Sequence, residues 1–119
     1  MRHKHSNRIL GRNSHNRKQL MQNLTSSLLR HGAIVTTEAK AKELRKHVEP
    51  LITRAKLEMT LANRRLLTSR LLHKEDLDTL AEIAKANSKR AGGYLRLTHL
   101  PVTRADSAPQ MRVELIDKN

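Results

Sequence analysis

Apolar residues recur at helical spacing over four stretches of the chain and alternate with polar residues over two stretches near its end. The first helical stretch follows Asn13 or Ser14, either of which can cap a helix, and Gly32 is suited to end it. Spacing of three and four residues predicts one apolar face. That face consists of Leu20, Met21, Leu24 and Leu28.

The next segment, Ala33–Thr37, is short and β-branched, which favours a strand. Thr37 then stands where it can cap a second helix. The apolar positions of this helix continue past Pro50. A proline inside a helix removes one hydrogen bond and bends the axis, so we expect a kink at Pro50 and not an end. The predicted apolar face is Ala41, Leu44, Val48, Leu51, Ile52 and Ala55.

The second half of the chain predicts two further helices and two strands. Residues 60–72 read as a short helix with leucines on one side and arginines on the other. Another helix should start within residues 74–76 and stop before the pair Gly92-Gly93. Residues 94–100 and 111–115 alternate between apolar and polar side chains, as strands of a sheet covered on one face do.

This order of elements predicts an α+β fold, with a small three-stranded mixed sheet and helices packed on one face. The length of 119 residues allows one domain. We assign that domain to residues 14–119 and a basic arm to residues 1–13. No acid precedes Glu38, and so charged an arm cannot offset its ordering entropy alone. We expect it to be disordered until it binds; a merely solvated tail is the alternative.

The charge of the chain points to a polyanionic partner. Twenty-four Lys and Arg against 11 Asp and Glu leave a formal net charge of +13. Such an excess favours nucleic acid, with an anionic membrane as the weaker option. Tyr94 is the only aromatic residue, so a platform of stacked rings cannot be built. RNA would therefore be bound through phosphates, 2′-hydroxyls and shape.

The sequence contains little that suggests catalysis. It has no cysteine, and His3 and His5 form a pair with no third ligand nearby. The acids lie among bases at helical spacing, where ion pairs explain them better than acid–base catalysis does. We therefore expect no enzyme, no metal, no cofactor and no small-molecule substrate. The first residues are followed by no apolar run of the length found in a signal peptide. No stretch has the roughly 18 apolar residues that a membrane span needs. A cytoplasmic location is therefore expected.

Two local features allow both a structural and a functional interpretation. Gly92-Gly93 can simply turn the chain from helix to strand, or its bare backbone can admit a phosphate beside Arg90 and Arg96. The pair Arg64-Arg65 can be a solvated helix face, although phosphate contact is favoured in a chain of this charge.

Two other functions compete with RNA binding. A DNA-binding protein is compatible with the charge alone, although a strand separates the first two helices where a helix-turn-helix has a short turn. A peripheral membrane protein would present one basic amphipathic helix, whereas the basic residues here are spread over several helices.

Several runs of the sequence resemble one known family over essentially the whole chain. The likeness is found in the opening Met1-Arg2-His3, in residues 10–17, in Ile34-Val35-Thr36-Thr37 and in residues 39–52. Residues 63–66, 90–94 and 108–115 extend it. These runs are similar to the bacterial large-subunit ribosomal proteins of the L-seventeen family. The chain departs from that pattern at Ala105, where the family usually has glycine, and after Arg65.

The resemblance implies a structural protein embedded in large-subunit rRNA near the peptide exit, with other ribosomal proteins beside it and a role in subunit assembly. It also implies that the contacts concentrate on the arm, the start of the second helix, the arginine pair and the glycine turn. The expected RNA-binding residues are Arg2, His3, Lys4, Arg8, Arg12, Asn13, Ser14, His15, Arg17, Lys18, Thr36, Thr37, Lys40, Lys42, Arg64, Arg65, Arg90, Gly92, Gly93, Tyr94 and Arg96.

Overall fold

The computed structural model describes residues 3, 7–101 and 104–116. Within them the chain forms four helices and three strands, which confirms the α+β fold. The helices are α1 (Ser14–His31), α2 (Glu38–Ala55), α3 (Leu61–Arg70) and α4 (Glu75–Ala86). The strands are β1 (Ala33–Thr37), β2 (Leu95–His99) and β3 (Gln110–Leu115).

The sheet is antiparallel throughout its described strands, so the expectation of a mixed sheet was wrong. The strand order is β1-β3-β2, and both β1 and β2 pair with β3 antiparallel. A mixed sheet would have required the parallel strands β1 and β2 to be neighbours. The last strand takes the centre because its inward residues Met111, Val113 and Leu115 are the most apolar row, and all three are buried.

One face of the sheet packs on the helices and the other is open. Leu95, Met111 and Val113 belong to the same buried cluster as Leu44 and Val48 of α2. On the open face Val35 is 56% exposed, and its register partner is the exposed Arg112. The predicted packing of helices on one face is therefore confirmed, and the open face remains available for other contacts.

Helix α1 begins as its cap predicts but is rotated from the predicted face. The Asn13 side chain accepts a hydrogen bond from the Asn16 backbone N–H at 2.9 Å. Gly32 ends the helix with φ of 80°, a conformation that glycine adopts without strain. Leu20 and Leu24 are only half-buried. The buried positions are Met21, Thr25, Ser26, Leu28 and Leu29.

Helix α2 continues through Pro50, as predicted, and buries its complete predicted apolar face. Thr37 occupies the N-cap position, but its side chain makes no capping hydrogen bond. Glu43 is buried on the same helix, which the apolar pattern did not indicate. The helix packs against the sheet and against each of the other three helices of the described part, and its residues line three separate concavities there.

Helix α4 ends at an asparagine and not at the glycine pair. The Asn87 side chain is buried, donates from Nδ2 to the Ile83 carbonyl at 2.8 Å and accepts from Arg90 Nε at 3.1 Å. By bonding to the last turn, this amide competes with continuation of the helix. The helix therefore stops at Ala86, and Gly92-Gly93 belongs to the turn that leads into β2.

Candidate nucleic-acid interface

The basic segment before α1 folds back onto the domain in its described part. Arg8 donates from Nη1 to Glu43 Oε1 of α2 at 3.1 Å. Leu10 and Gly11 both have positive φ, 58° and 66°, and form a turn that Gly11 adopts without strain. Arg12 donates to the Leu10 carbonyl at 2.6 Å, and Arg17 donates to the Arg12 carbonyl at 2.9 Å. Two of the predicted RNA-binding arginines therefore brace this turn.

The other expected residues of the arm and of the start of α1 are exposed or lie outside the described residues. Arg2 and Lys4 lie outside the described residues. His3, Asn13, Ser14, His15 and Lys18 are exposed. Ser14 and Lys18 also line a concavity of about 330 Å³ between the segment 7–10, α1 and α2. The structure thus gathers much of the predicted basic segment at one end of α1.

The predicted residues around the start of α2 are mostly half-buried, and one of them forms an ion pair with a carboxylate. Thr36, Thr37 and Lys40 are half-buried. Lys42 donates from Nζ to Glu38 Oε1 at 2.7 Å. This hydrogen bond, together with the charge of Lys42, lowers the pKa of Glu38 below its usual value. Lys42 is therefore less available to a phosphate than the sequence suggested.

The arginine pair of α3 points away from the core. Arg64 and Arg65 are both exposed, while Leu67 on the same helix is completely buried. Thr60 caps the helix by accepting from the Asn63 backbone N–H at 3.2 Å. Arg64 also lines a groove of about 480 Å³ between α2 and α4. The geometry is compatible with either interpretation of this pair.

The turn before β2 is held by a lysine that the sequence did not single out. Lys56 donates from Nζ to the Arg90 carbonyl and to the Tyr94 hydroxyl, the latter at 3.1 Å. Thr53 Oγ1 also lies 3.1 Å from that hydroxyl. Gly93 has φ of 66°, and at both glycines a Cβ would meet open space. The backbone of Gly92-Gly93 is therefore bare and accessible.

Tyr94 requires a correction. Its side chain is 1% exposed and is the largest side chain buried in the core. It therefore has almost no surface to offer a base or a phosphate, and its hydroxyl contacts the groups that hold the glycine turn. The sequence missed this because a lone tyrosine beside arginines and glycines is equally typical of an RNA contact.

Arg96 lies apart from the other predicted residues, on the open face of the sheet. Its Nη1 is 3.5 Å from Glu114 Oε1, and Arg112 lies 3.5 Å from the other oxygen of the same carboxylate. Two arginines thus share one acid, and the arginine side chains are 63% and 51% exposed. This face retains positive charge.

Helix α2 connects most of the predicted groups. Its Lys46 lines both the concavity beside the arm and a groove that reaches Gly92. Neither Lys46 nor its neighbour His47 was predicted to be functional. The alternation of charged and apolar residues on α2 indicated an ordinary amphipathic helix, so no local pattern distinguished these two.

Two further observations bear on the type of site. Among the described residues, no group of three or more His, Asp or Glu side chains is placed to hold a metal ion. The helices within the described part of the chain are all too short or too polar to cross a bilayer.

A comparison with known protein families finds a match over most of the chain. Residues 20–116 match the model of a family described as "Ribosomal protein L17". The match includes all seven elements, apart from residues 14–19 at the start of α1. Proteins of this family are structural components of the large ribosomal subunit, and the family is not known as a family of enzymes. The chain therefore belongs to the ribosomal protein L17 family.

Proposed function

We propose that this chain binds large-subunit rRNA through phosphates and shape and thereby supports assembly of the subunit near the peptide exit. Its partners are the rRNA and neighbouring ribosomal proteins. Residues 1–13 act as the basic arm and residues 14–119 as the domain. Lysine and arginine side chains displace condensed cations from the RNA, and this exchange provides affinity and a steep salt dependence.

The observation that carries this proposal is the collection of cations at the junction of the arm, α1 and α2. Arg8, Arg17, Lys18 and Lys46 all line one concavity there, together with a single carboxylate, Glu43. A concave surface of one sign concentrates the field and attracts a polyanion. Family membership identifies the ribosomal setting, and in that setting the polyanion is rRNA.

The burial of Tyr94 supports binding by shape and backbone. Because it is the only Phe, Tyr or Trp in the chain and is 1% exposed, no phenol, phenyl or indole ring stands on the surface to stack on a base. Contacts then come mainly from cations, hydroxyls and backbone N–H groups, which recognise phosphates and riboses. The bare backbone at Gly92 and the exposed Arg64-Arg65 pair belong to the same proposed surface.

The arm is tested by neutralising Arg8, Arg12 and Arg17 together to glutamine. We expect weaker incorporation into large subunits, measured by the amount that sediments with them in lysate, and an intact fold by circular dichroism. The three side chains contact backbone carbonyls and Glu43 and do not enter the core. Full incorporation of the variant would contradict the role of the arm.

A matched control removes the same charge elsewhere. Lys74, Lys89 and Arg104 are exposed, and none of them lines the concavity beside the arm. Their replacement by glutamine should reduce incorporation much less. A filter-binding competition between large-subunit rRNA and duplex DNA, followed by flotation with anionic liposomes, separates rRNA binding from the two rival functions. Preference for DNA or for lipid would refute the proposal.

A further inference from the structure

A second concavity lies beside the arm junction, among α1, α2 and α3. We call it the α1–α3 cleft; it has a volume of about 360 Å³ and is lined by Lys18, Gln22, His47, Leu66, Ser69 and Arg70. Gln22 donates from Nε2 to the Ser69 carbonyl at 3.4 Å and so links α1 to α3. The cleft is thus formed by packing between helices and not by one loop.

The cleft is cationic and has no acid in its lining. Lys18 and Arg70 are exposed and come from different helices. Glu43 of α2, which lines the adjacent concavity, is already bonded to Arg8 at 3.1 Å and Lys46 at 3.3 Å. An anion in the cleft would therefore meet Lys18 and Arg70 without facing an unpaired carboxylate.

His47 adds a titratable group to the wall of the cleft. Its Nε2 is buried and has no hydrogen-bond partner. Burial lowers the pKa of His47 below its usual value, and the charge of Arg70 acts in the same direction, against a backbone hydrogen bond at Arg70. Both effects favour the neutral form of this imidazole in the free protein.

The charged groups around His47 come from every neighbouring element. Arg17 and Lys18 lie on α1, Lys46 and Glu43 on α2, Arg70 on α3 and Arg8 in the arm. Five of these six groups are cations, and among them the charge of Arg70 lowers the pKa of His47. A phosphate would reverse that balance, because its negative charge favours the imidazolium.

We propose that the α1–α3 cleft binds a phosphodiester of the RNA backbone between Lys18 and Arg70, and that His47 takes up a proton when the phosphate is bound. The proposal rests on the proposed rRNA function and locates one contact within it. None of the expected RNA-binding residues except Lys18 belongs to this cleft. His47 and Arg70 are new assignments.

The first test compares binding of two double variants to in vitro transcribed large-subunit rRNA. Lys18→Gln with Arg70→Gln should weaken binding about tenfold or more. It should also reduce the slope of log affinity against log salt by about 1 to 2. The control Lys74→Gln with Lys89→Gln removes the same charge outside the cleft and should change both quantities much less.

The outcomes separate the cleft from the general function. If the wild type does not bind rRNA, the proposed function fails. If the wild type binds and the two double variants weaken binding equally, rRNA binding stands and the cleft is overturned. Circular dichroism melts verify that each variant is folded, as expected for four exposed side chains.

The second test measures rRNA affinity at pH 7.5 and pH 5.5 for the wild type and His47→Gln, with His47→Asn as a second variant. The other six histidines are present in all three proteins, so their contributions cancel. Because the complex gains a proton at His47, acidification should increase the wild-type affinity more than that of the variants. An equal response in all three would overturn the role of His47.

Discussion

At the scale of single residues, the carboxylates of this basic chain act as internal braces. Asp76 is 1% exposed, and its Oδ2 accepts the His73 backbone N–H at 3.3 Å at the start of α4. Its other oxygen lies 3.6 Å from Arg30 Nε at the end of α1. A negative charge in the first turn also suits the helix dipole. One acid therefore joins two helix ends.

Replacing Asp76 by asparagine should destabilise the domain. The buried group loses its charge, and one hydrogen bond to backbone weakens, so we expect a loss of about 1–3 kcal/mol in the free energy of unfolding. Urea denaturation monitored by circular dichroism measures it. Asp78→Asn is the matched control, since Asp78 is exposed in the same turn and should change stability by less than about 0.5 kcal/mol. Equal effects would contradict the bracing role.

At the scale of elements, the residues that hold the connection from α4 to β2 in place differ from the glycine at which a phosphate could approach. Asn87 ends the helix, Lys56 and Tyr94 hold the turn, and Gly93 alone needs a left-handed backbone. Gly92 has no such φ, and a Cβ there would meet nothing within 4 Å. A structural need for glycine therefore exists at Gly93 and not at Gly92.

Alanine at these two positions should give opposite results. Gly93→Ala should lower the free energy of unfolding by about 1–2 kcal/mol, because its positive φ strains any residue with a Cβ. Gly92→Ala should leave stability unchanged or raise it by up to about 1 kcal/mol. If an RNA phosphate approaches this backbone, Gly92→Ala should nevertheless weaken rRNA binding. Unchanged binding would show that the RNA makes no contact that requires a bare backbone at Gly92.

At the scale of the whole molecule, the net charge of +13 destabilises the free protein but favours its complex with RNA. In the free protein the cations repel one another and disfavour the compact state. In the complex they are neutralised by phosphates. Salt screens both effects, with a Debye length of about 10 Å at 0.1 M.

Raising sodium chloride from about 20 to about 300 mM shortens the Debye length and weakens the repulsion among the cations. This change should therefore raise the thermal midpoint of the free protein. The same change should weaken rRNA binding steeply. Scanning calorimetry and filter binding measure the two quantities. A midpoint that falls with salt would show that the ion pairs outweigh the repulsion.

Much of this fold follows from local patterns. The spacing of apolar residues on α2, the alternation in β3 and the caps at Asn13 and Gly32 all correspond to observed features. These predictions succeed because caps and amphipathic periodicity depend on residues within one or two turns of each other. The sign and size of the charge, and the near absence of aromatics, likewise follow from composition alone.

What depends on contacts between distant segments was decided only by the tertiary structure. The position of β3 between β1 and β2, the burial of Tyr94 against Lys56 and Thr53, and the α1–α3 cleft around His47 belong to this group. A residue's neighbours along the chain do not show whether its side chain meets solvent or another helix. Residue types therefore predicted that the protein binds a polyanion, whereas the packing of the helices determined which cations face the same concavity.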